Sequence, residues 1–476
     1  MAFNSLIFAV FLLIAFVLYW SLPSKTTVIR NAFLLIASYI FYGWWDWRFL
    51  GLIALNSTVD YAIGLSLHQT QSSIKRKLLL GASLSINLGI LGLFKYYDFF
   101  IISAIDILQT IGLQANVHTL AIILPVGISF YTFQTLSYTI DIYRDKIVPT
   151  KNCIAYFAFV SFFPQLVAGP IERASHLLPQ FLERKKFNLD QAKDGLRQIL
   201  WGLFKKTVIA DNLAPYVDKI FSNYEVYSGP MLLLGTVYFS IQIYCDFSGY
   251  SDMAIGTARL FGFDLKRNFA YPYFSRDIGE FWRRWHISLS TWFRDYVYIP
   301  LGGNRTRTSL QHFSNIILTF TISGFWHGAN WTFIIWGFLN GLYYLPPSLR
   351  DPHTHQTEVV AMGRFFPTPL EFFQICRTFI LIAFAWIFFR ATSFAHAIGF
   401  ISHIGTSSWL APLRHTKGLW YVLLILVIDW VQREKQHPLE ISNLPRYTRW
   451  GIYYIISILV LFVGKTGHVP FIYFQF

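Results

Sequence analysis

The chain has 476 residues, of which 54% are hydrophobic, 19% aromatic and only 13% charged. An average soluble domain has about twice that charged fraction, and no water-soluble fold can bury so much apolar surface. A disordered chain would show the opposite balance. The formal net charge is +14, but no basic tail or soluble module accompanies it, so membrane-flanking loops explain the excess better than nucleic-acid binding. Composition therefore predicts a polytopic helical membrane protein.

Apolar runs long enough to cross a bilayer recur along the chain. The first covers residues 6–20, with no positive charge before it and no small-residue cleavage site after it, so we expect a retained span and not a cleaved signal. At ~20 residues for each crossing, the runs predict about 11 transmembrane helices. We expect one integral membrane domain over residues 1–476, with N-terminal spans in 1–170, a central core in 171–364 and C-terminal spans in 365–476.

Basic residues mark the loops that we expect on the cytoplasmic side. They follow the first, third and seventh apolar runs, and the densest stretch, which includes Lys185, lies between residues 173 and 206. Because cytoplasmic loops are enriched in Lys and Arg, this pattern predicts an outside N-terminus and a cytoplasmic Lys185. Arg144, Lys146 and Lys151 fall on the opposite side and argue against it.

Two segments do not have the sequence of lipid-facing spans. Residues 195–213 mix Leu, Trp and Phe with Lys and Arg, as an interfacial helix does. Residues 268–305 are rich in aromatics, arginines and glycines, and irregular polar sequence inside a membrane needs protein or water around it. We therefore expect interfacial or re-entrant helices here, lining a cavity.

His327 is the first candidate functional residue. It lies in a run, residues 316–344, without Asp, Glu, Lys or Arg. As one helix this run would be about 43 Å long against a hydrocarbon core of ~30 Å, so we expect a break within residues 323–331. Small neighbours, Ser323, Gly324 and Gly328, are expected to leave space for a substrate beside the imidazole. An ionisable group at this depth indicates function, while a hydrogen bond to a neighbouring helix is the structural alternative.

His286 is the second candidate. Trp282, His286, Leu289 and Phe293 have the spacing of one helical face, which predicts a single interfacial helix with His286 on its apolar side. A histidine buried against the protein without a reactive role is the alternative.

A basic cluster accompanies this segment: Arg283, Arg284, Arg294, Arg305 and Arg307. Guanidinium groups suit phosphates and carboxylates, so the cluster predicts either an anionic cofactor or lipid headgroups as its ligand. His353 and His355 lie in a polar loop without a third ligand, and the three cysteines form no CxxC pair. We therefore expect no metal site.

Seven short motifs are spread over nearly the whole chain: GISFYTFQ (127–134), FPQLVAGPI (163–171), CDFSGYSD (245–252), FWRRWHISLS (281–290), YIPLGGNR (298–305), GFWHGANW (324–331) and FIYFQF (471–476). Together they resemble those of the membrane-bound O-acyltransferase family, in its bacterial alginate and peptidoglycan O-acetyltransferase branch.

The resemblance implies a membrane acyltransferase with a funnel and a tunnel across the bilayer, and with its catalytic core in residues 171–364. It makes His327 the catalytic histidine and His286 a second active-site residue, with Arg283, Arg284, Trp326 and Asn330 expected at the substrate. The implied donor is cytoplasmic acetyl-CoA. The implied acceptor is an extracytoplasmic polysaccharide, reached through a partner transferase, at the bacterial inner membrane.

Three other functions compete with this one. A sister branch transfers D-alanine from a carrier protein to teichoic acid, and the long C-terminal part beyond Arg364 argues against it. A proton-coupled transporter would use His327 with Asp60, Asp246 and Asp252, but repeat symmetry is missing from the sequence. A non-catalytic assembly subunit would survive the loss of His327.

Overall fold

The computed structural model describes residues 1–23, 26–114, 118–120, 122–167, 169–349, 358–465 and 471–472. Within these ranges the regular structure is helical, and no strand occurs. The chain divides into two compact units. The first consists of Met1–Gly195 with Ala254–Lys266, and the second of Leu196–Met253 with Arg267–Phe476.

In the described part of the first unit, the α-helices before residue 189 are Leu6–Ser21 (α1), Thr27–Asp46 (α2), Leu50–Gln69 (α3), Ser73–Leu91 (α4), Tyr97–Thr110 (α5), Ile128–Tyr143 (α6), Cys153–Ser161 (α7), Phe163–Leu166 (α8) and Ala174–Leu182 (α9). The remaining helices are Leu189–Leu203 (α10), Asp211–Ser222 (α11), Gly229–Leu260 (α12), Ile278–Arg284 (α13), Ile287–Phe293 (α14), Ser309–His327 (α15), Trp331–Ser348 (α16), Pro369–Arg390 (α17), Phe394–Thr406 (α18), Gly418–Val431 (α19) and Arg446–Phe462 (α20). Of these, α10 and α12 have residues in both units.

Polar caps define many helix starts. The side chains of Ser5, Thr308 and Asn330 accept backbone N–H groups in the first turns of α1, α15 and α16. Thr368 and Glu371 form a reciprocal capping box at α17, where Pro369 follows the cap. These are the residue types that stabilise the unpaired N–H groups of a first turn.

Four helical stretches in the described part of the chain are long and apolar enough to cross a membrane: Thr27–Gln69, Ser73–Thr110, Gly229–Leu260 and Pro369–Arg390. Leu6–Ser21, Cys153–Leu166 and Gly418–Val431 are apolar but shorter. The prediction of a helical, multi-pass membrane protein is confirmed in this form. The count of about 11 spans and the single-domain organisation stay predictions.

Asp60 ties three helices of the first unit together. Its carboxylate accepts hydrogen bonds from Ser83 and Asn87 of α4 and from Thr139 of α6. All four side chains are fully buried. Because both oxygens of Asp60 accept hydrogen bonds, its contacts are those of a structural carboxylate and not those of an open proton relay.

In the second unit, α15 and α16 cross with their backbones in direct contact. A Cβ on Gly324 would lie 2.2 Å from the carbonyl oxygen of Phe333, and one on Gly337 would lie 2.3 Å from that of Phe320. The expected break is confirmed, since α15 ends at His327 and α16 begins at Trp331. The expectation that the glycines open a substrate space is wrong, because α16 fills the side of Gly324 and the ring of Phe333 fills that of Gly328.

Lys205 and Lys206 are buried, which corrects the prediction of an interfacial segment at this point. They lie in a π-helical segment, Phe204–Ala210, between α10 and α11. Lys205 pairs with Asp252, and Lys206 pairs with both Asp211 and Asp246. Desolvation forces such charges to pair, so these two lysines do not belong to the exposed loop charges that indicate orientation.

Gly324→Ala should lower the melting temperature of the purified protein by several degrees, because the added methyl group overpacks the α15–α16 contact at a cost of about 1–3 kcal/mol. Gly451→Ala is the matched control in the same unit, since nothing lies within 4 Å of a Cβ there. Thermal unfolding in detergent compares the two variants. Equal melting temperatures would contradict the proposed tight contact.

Candidate active site

His327 ends α15 inside an aromatic wall. Its side chain is buried, and its ring packs edge-on against Trp336 of α16 and Phe389 of α17, with centroid distances of 5.1 and 5.5 Å. Trp336 stacks in turn on Trp386 at 5.6 Å. All three aromatic side chains are buried, so bulk water has little access to this side of the imidazole.

His286 lies at a sharp reversal between α13 and α14, where its backbone is left-handed with φ of 42°. The prediction of one continuous helix through Trp282 and Phe293 is therefore wrong. The reason is non-local pairing: Ala270 N donates to Arg284 O and Ile287 N donates to Asn268 O, each at 2.9 Å. These bonds replace the helical hydrogen bonds at the turn.

The two histidines meet in space although 41 positions separate them in the chain. Their ring centroids are 6.4 Å apart, a separation that one oxygen atom can bridge with hydrogen bonds of ~2.8 Å to each side. His286 also contacts the rings of Phe247 at 4.6 Å and Phe269 at 6.3 Å. Burial, with a smaller contribution from His327, lowers the pKa of His286 well below its usual value, so the ring is neutral at pH 7.

A cavity of about 430 Å³ is lined by chain neighbours of both histidines. Its wall includes Ile287, the residue after His286, and Ser323, one helical turn before His327. The rest is largely apolar, with two cations: Trp282, Arg283, Phe293, Arg294, Phe320 and Tyr344 contribute to it. A largely apolar cleft with a few polar groups is typical of a small-molecule site.

Arg283 and Arg284 have different environments despite being neighbours. Arg283 is exposed and lines the cavity. Arg284 is half-buried, forms an ion pair with Glu280 at 2.8 Å, and donates to the carbonyl oxygens of Ala270 and Glu358. Of the two predicted arginines, only Arg283 therefore reaches the cavity, where Arg294 joins it.

Comparison with known proteins identifies the family of this chain. The model of the membrane-bound O-acyltransferase family matches residues 144–390, just over half of the chain. The chain belongs to this family. It is 43% identical over 397 residues to "Probable alginate O-acetylase AlgI" of Azotobacter vinelandii, covering 82% of this chain and 75% of the relative. It is 32% identical over 517 residues to the peptidoglycan O-acetyltransferase of Helicobacter pylori, covering 98% of this chain and 95% of the relative.

A third relative is more distant. The teichoic acid D-alanyltransferase of Streptococcus thermophilus is 31% identical over 230 residues, which cover 46% of this chain and 55% of the relative. The chain is thus an O-acyltransferase, and its similarity to O-acetyltransferases extends much further along the sequence than its similarity to D-alanyltransferases.

The two remaining predicted residues of this acyltransferase lie beside His327. Trp326 is half-buried in the last turn of α15. Asn330 caps α16 by accepting from Thr332 N, and its Nδ2 donates to the carbonyl oxygen of Thr392. Substrate contact by either residue stays a prediction.

Among the described residues, no group of three His, Cys, Asp or Glu could hold a metal ion. His353 and His355, for which no metal was expected, lie outside the described residues.

The part of the cavity wall on α15 was missed from the sequence except for Ser323, which was expected beside the substrate space. Thr319 and Ser323 belong to this wall together with Ile316 and Phe320. These positions share one face of α15 with His327, because they precede it at helical spacings of 4, 7, 8 and 11 residues. Extending the face of His327 back along its own helix would therefore have found them.

Proposed function

We propose that this enzyme moves an acetyl group from cytoplasmic acetyl-CoA across the membrane to an extracytoplasmic polysaccharide, such as alginate, peptidoglycan or a similar glycan. An extracytoplasmic transferase is the proposed partner in delivery. The observation that carries the proposal is the pair of buried histidines, 6.4 Å apart, whose chain neighbours Ile287 and Ser323 line a largely apolar cavity. The O-acetyltransferase relatives support the acetyl group and the class of acceptor.

In the proposed reaction, the neutral imidazole of His327 removes the proton from an acceptor hydroxyl as its oxygen attacks the thioester carbonyl carbon. The carbon–sulfur bond then breaks, and the protonated His327 returns the proton to the departing thiolate. His286 acts as a hydrogen-bond donor to the oxygen that gains negative charge. Its lowered pKa is compatible with this role, because a neutral imidazole still has one N–H to donate. Transfer through an acetyl-His327 intermediate would use the same two residues.

The cavity is the proposed entry for the donor. Its apolar wall suits the pantetheine arm, and Arg283 and Arg294 suit the phosphates, because guanidinium groups bind phosphate oxygens through paired hydrogen bonds. Acetyl-CoA carries phosphates that a bare acetyl thioester lacks. The arginines therefore supply a reason for this enzyme to distinguish donors.

His327→Ala should abolish acetyl transfer from radiolabelled acetyl-CoA, with a loss of about 10²–10⁴-fold, because no other base lies on that part of α15. The protein should still fold, and any fall in the melting temperature should reflect only the lost packing against Trp336 and Phe389. His286→Ala should be equally or less damaging. The control is His68→Ala, at an exposed position near the end of α3. A His327→Ala protein that keeps most of its activity would sink this mechanism.

Arg283→Gln should raise the KM for acetyl-CoA several-fold at low salt, and the difference from the unsubstituted protein should shrink at high salt as the charges are screened. Arg284→Gln is the matched control. Compared with Arg283→Gln, it should lower the melting temperature more and raise the KM for acetyl-CoA less, because Arg284 binds Glu280 and backbone carbonyls. Turnover with a D-alanyl carrier protein but not with acetyl-CoA would favour the D-alanyl alternative.

We also propose an outside N-terminus in the bacterial inner membrane. Cysteine introduced at Ala2 should react with an impermeant maleimide on intact cells, and cysteine at Lys186, an exposed neighbour of Lys185, should react only after permeabilisation. The native Cys153 is exposed and must be replaced first. The reverse labelling pattern would overturn both the orientation and the cytoplasmic donor side.

A further inference from the structure

The backbone of His286 has a conformation that L-residues rarely adopt. Its φ of 42° lies in the left-handed region, which is disfavoured by contact between Cβ and the backbone. A short turn between two seven-residue helices cannot impose that geometry alone. Such a conformation persists where the surrounding contacts determine it, and these sites are often functional.

Asn268 supplies contacts of this kind to the two residues that follow His286. Its carbonyl oxygen accepts from Ile287 N at 2.9 Å. Its side-chain Oδ1 accepts from Ser288 N at 3.2 Å and from Ser288 Oγ at 2.9 Å. One residue therefore accepts hydrogen bonds from three donors of the turn.

Asn268 is itself anchored. Its side chain is fully buried, and its Nδ2 donates to Ser251 Oγ on α12 at 3.2 Å. The next residue, Phe269, lies nearly parallel to the ring of His286, with an interplanar angle of 9°. Asn268 thus links the turn to the long helix that also supplies Phe247, whose ring contacts that of His286.

We propose that Asn268 is a positioning residue for acyl transfer: it fixes the left-handed turn at residues 286–288 and so aims His286 at His327. The inference rests on the proposed function, in which His286 takes part in the reaction. Asn268 does not touch the reacting atoms. Its effect passes through the orientation of one imidazole, and its removal should lower kcat with little change in the KM for acetyl-CoA.

A double-mutant cycle tests this proposal. Asn268→Ala keeps the backbone acceptor for Ile287 but removes Oδ1 from Ser288. It should reduce kcat by about 10- to 100-fold, the usual effect of misplacing a catalytic group by about an ångström. Once His286 is gone, Asn268 has nothing to position, so Asn268→Ala with His286→Ala should be as active as His286→Ala alone.

Asn340→Ala is the matched control, because Asn340 is another fully buried asparagine of the second unit, with its Nδ2 bonded to Trp336 O in its own helix. Whatever the fold-loss of kcat caused by Asn340→Ala, it should multiply with the fold-loss caused by His286→Ala in the double variant. Asn268→Asp keeps the acceptor oxygen and should retain more activity than Asn268→Ala, which also covers the case in which the alanine variant fails to fold.

The outcomes separate the two proposals. Full activity of His286→Ala overturns both the role of His286 and the positioning role of Asn268. If His286→Ala lowers kcat, but Asn268→Ala leaves kcat unchanged or lowers it by the same factor with and without His286, only the role of Asn268 is overturned. If His286→Ala leaves no measurable rate, a cryo-electron microscopy structure of Asn268→Ala decides: a displaced His286 ring supports the proposal, and an unmoved ring refutes it.

Discussion

The backbones of α15 and α16 meet so closely at Gly324 and Gly337 that neither position has room for a side chain. Lipid tails are as apolar as the helices, so such a pair is held by close van der Waals packing and not by expulsion of water. The contact also determines what surrounds His327. Gly324 lies one turn before the histidine and Gly337 follows Trp336, so their approach brings the indole against the imidazole. The wall of the site is thus a direct consequence of the crossing.

His286 depends on a different kind of interaction. Polar bonds, and not close packing, hold its turn, because Asn268 and Ala270 pair with the backbone around it. Two independent interactions therefore place the two histidines: the apolar crossing of α15 and α16 places His327, and polar hydrogen bonds at the turn place His286. The 6.4 Å between the rings depends on both interactions. The geometry of the site requires that neither the helix pair nor the turn relax.

The sequence predicts structure correctly where a single segment contains all the residues that determine it. The run around His327 is too long for one crossing, and the break between α15 and α16 falls within the predicted residues 323–331. The sequence-based prediction is wrong where the interacting partner of a residue is distant in the chain. The spacing of Trp282 and His286 fits a helix, yet pairing with residues 268–270 overrides it. Likewise Lys205 and Arg284 look like free cations in sequence, and only the fold brings Asp252 and Glu280 to them.

The aromatic wall of His327 bears on the chemistry of the site. An acetyl thioester is destroyed by any competing nucleophile, and water is the most abundant one. Here the imidazole of His327 is enclosed on one side by the buried rings of Trp336 and Phe389. The wall therefore does more than fill space: in the proposed reaction it keeps water from the imidazole, so that the acceptor hydroxyl, activated by His327, takes the acetyl.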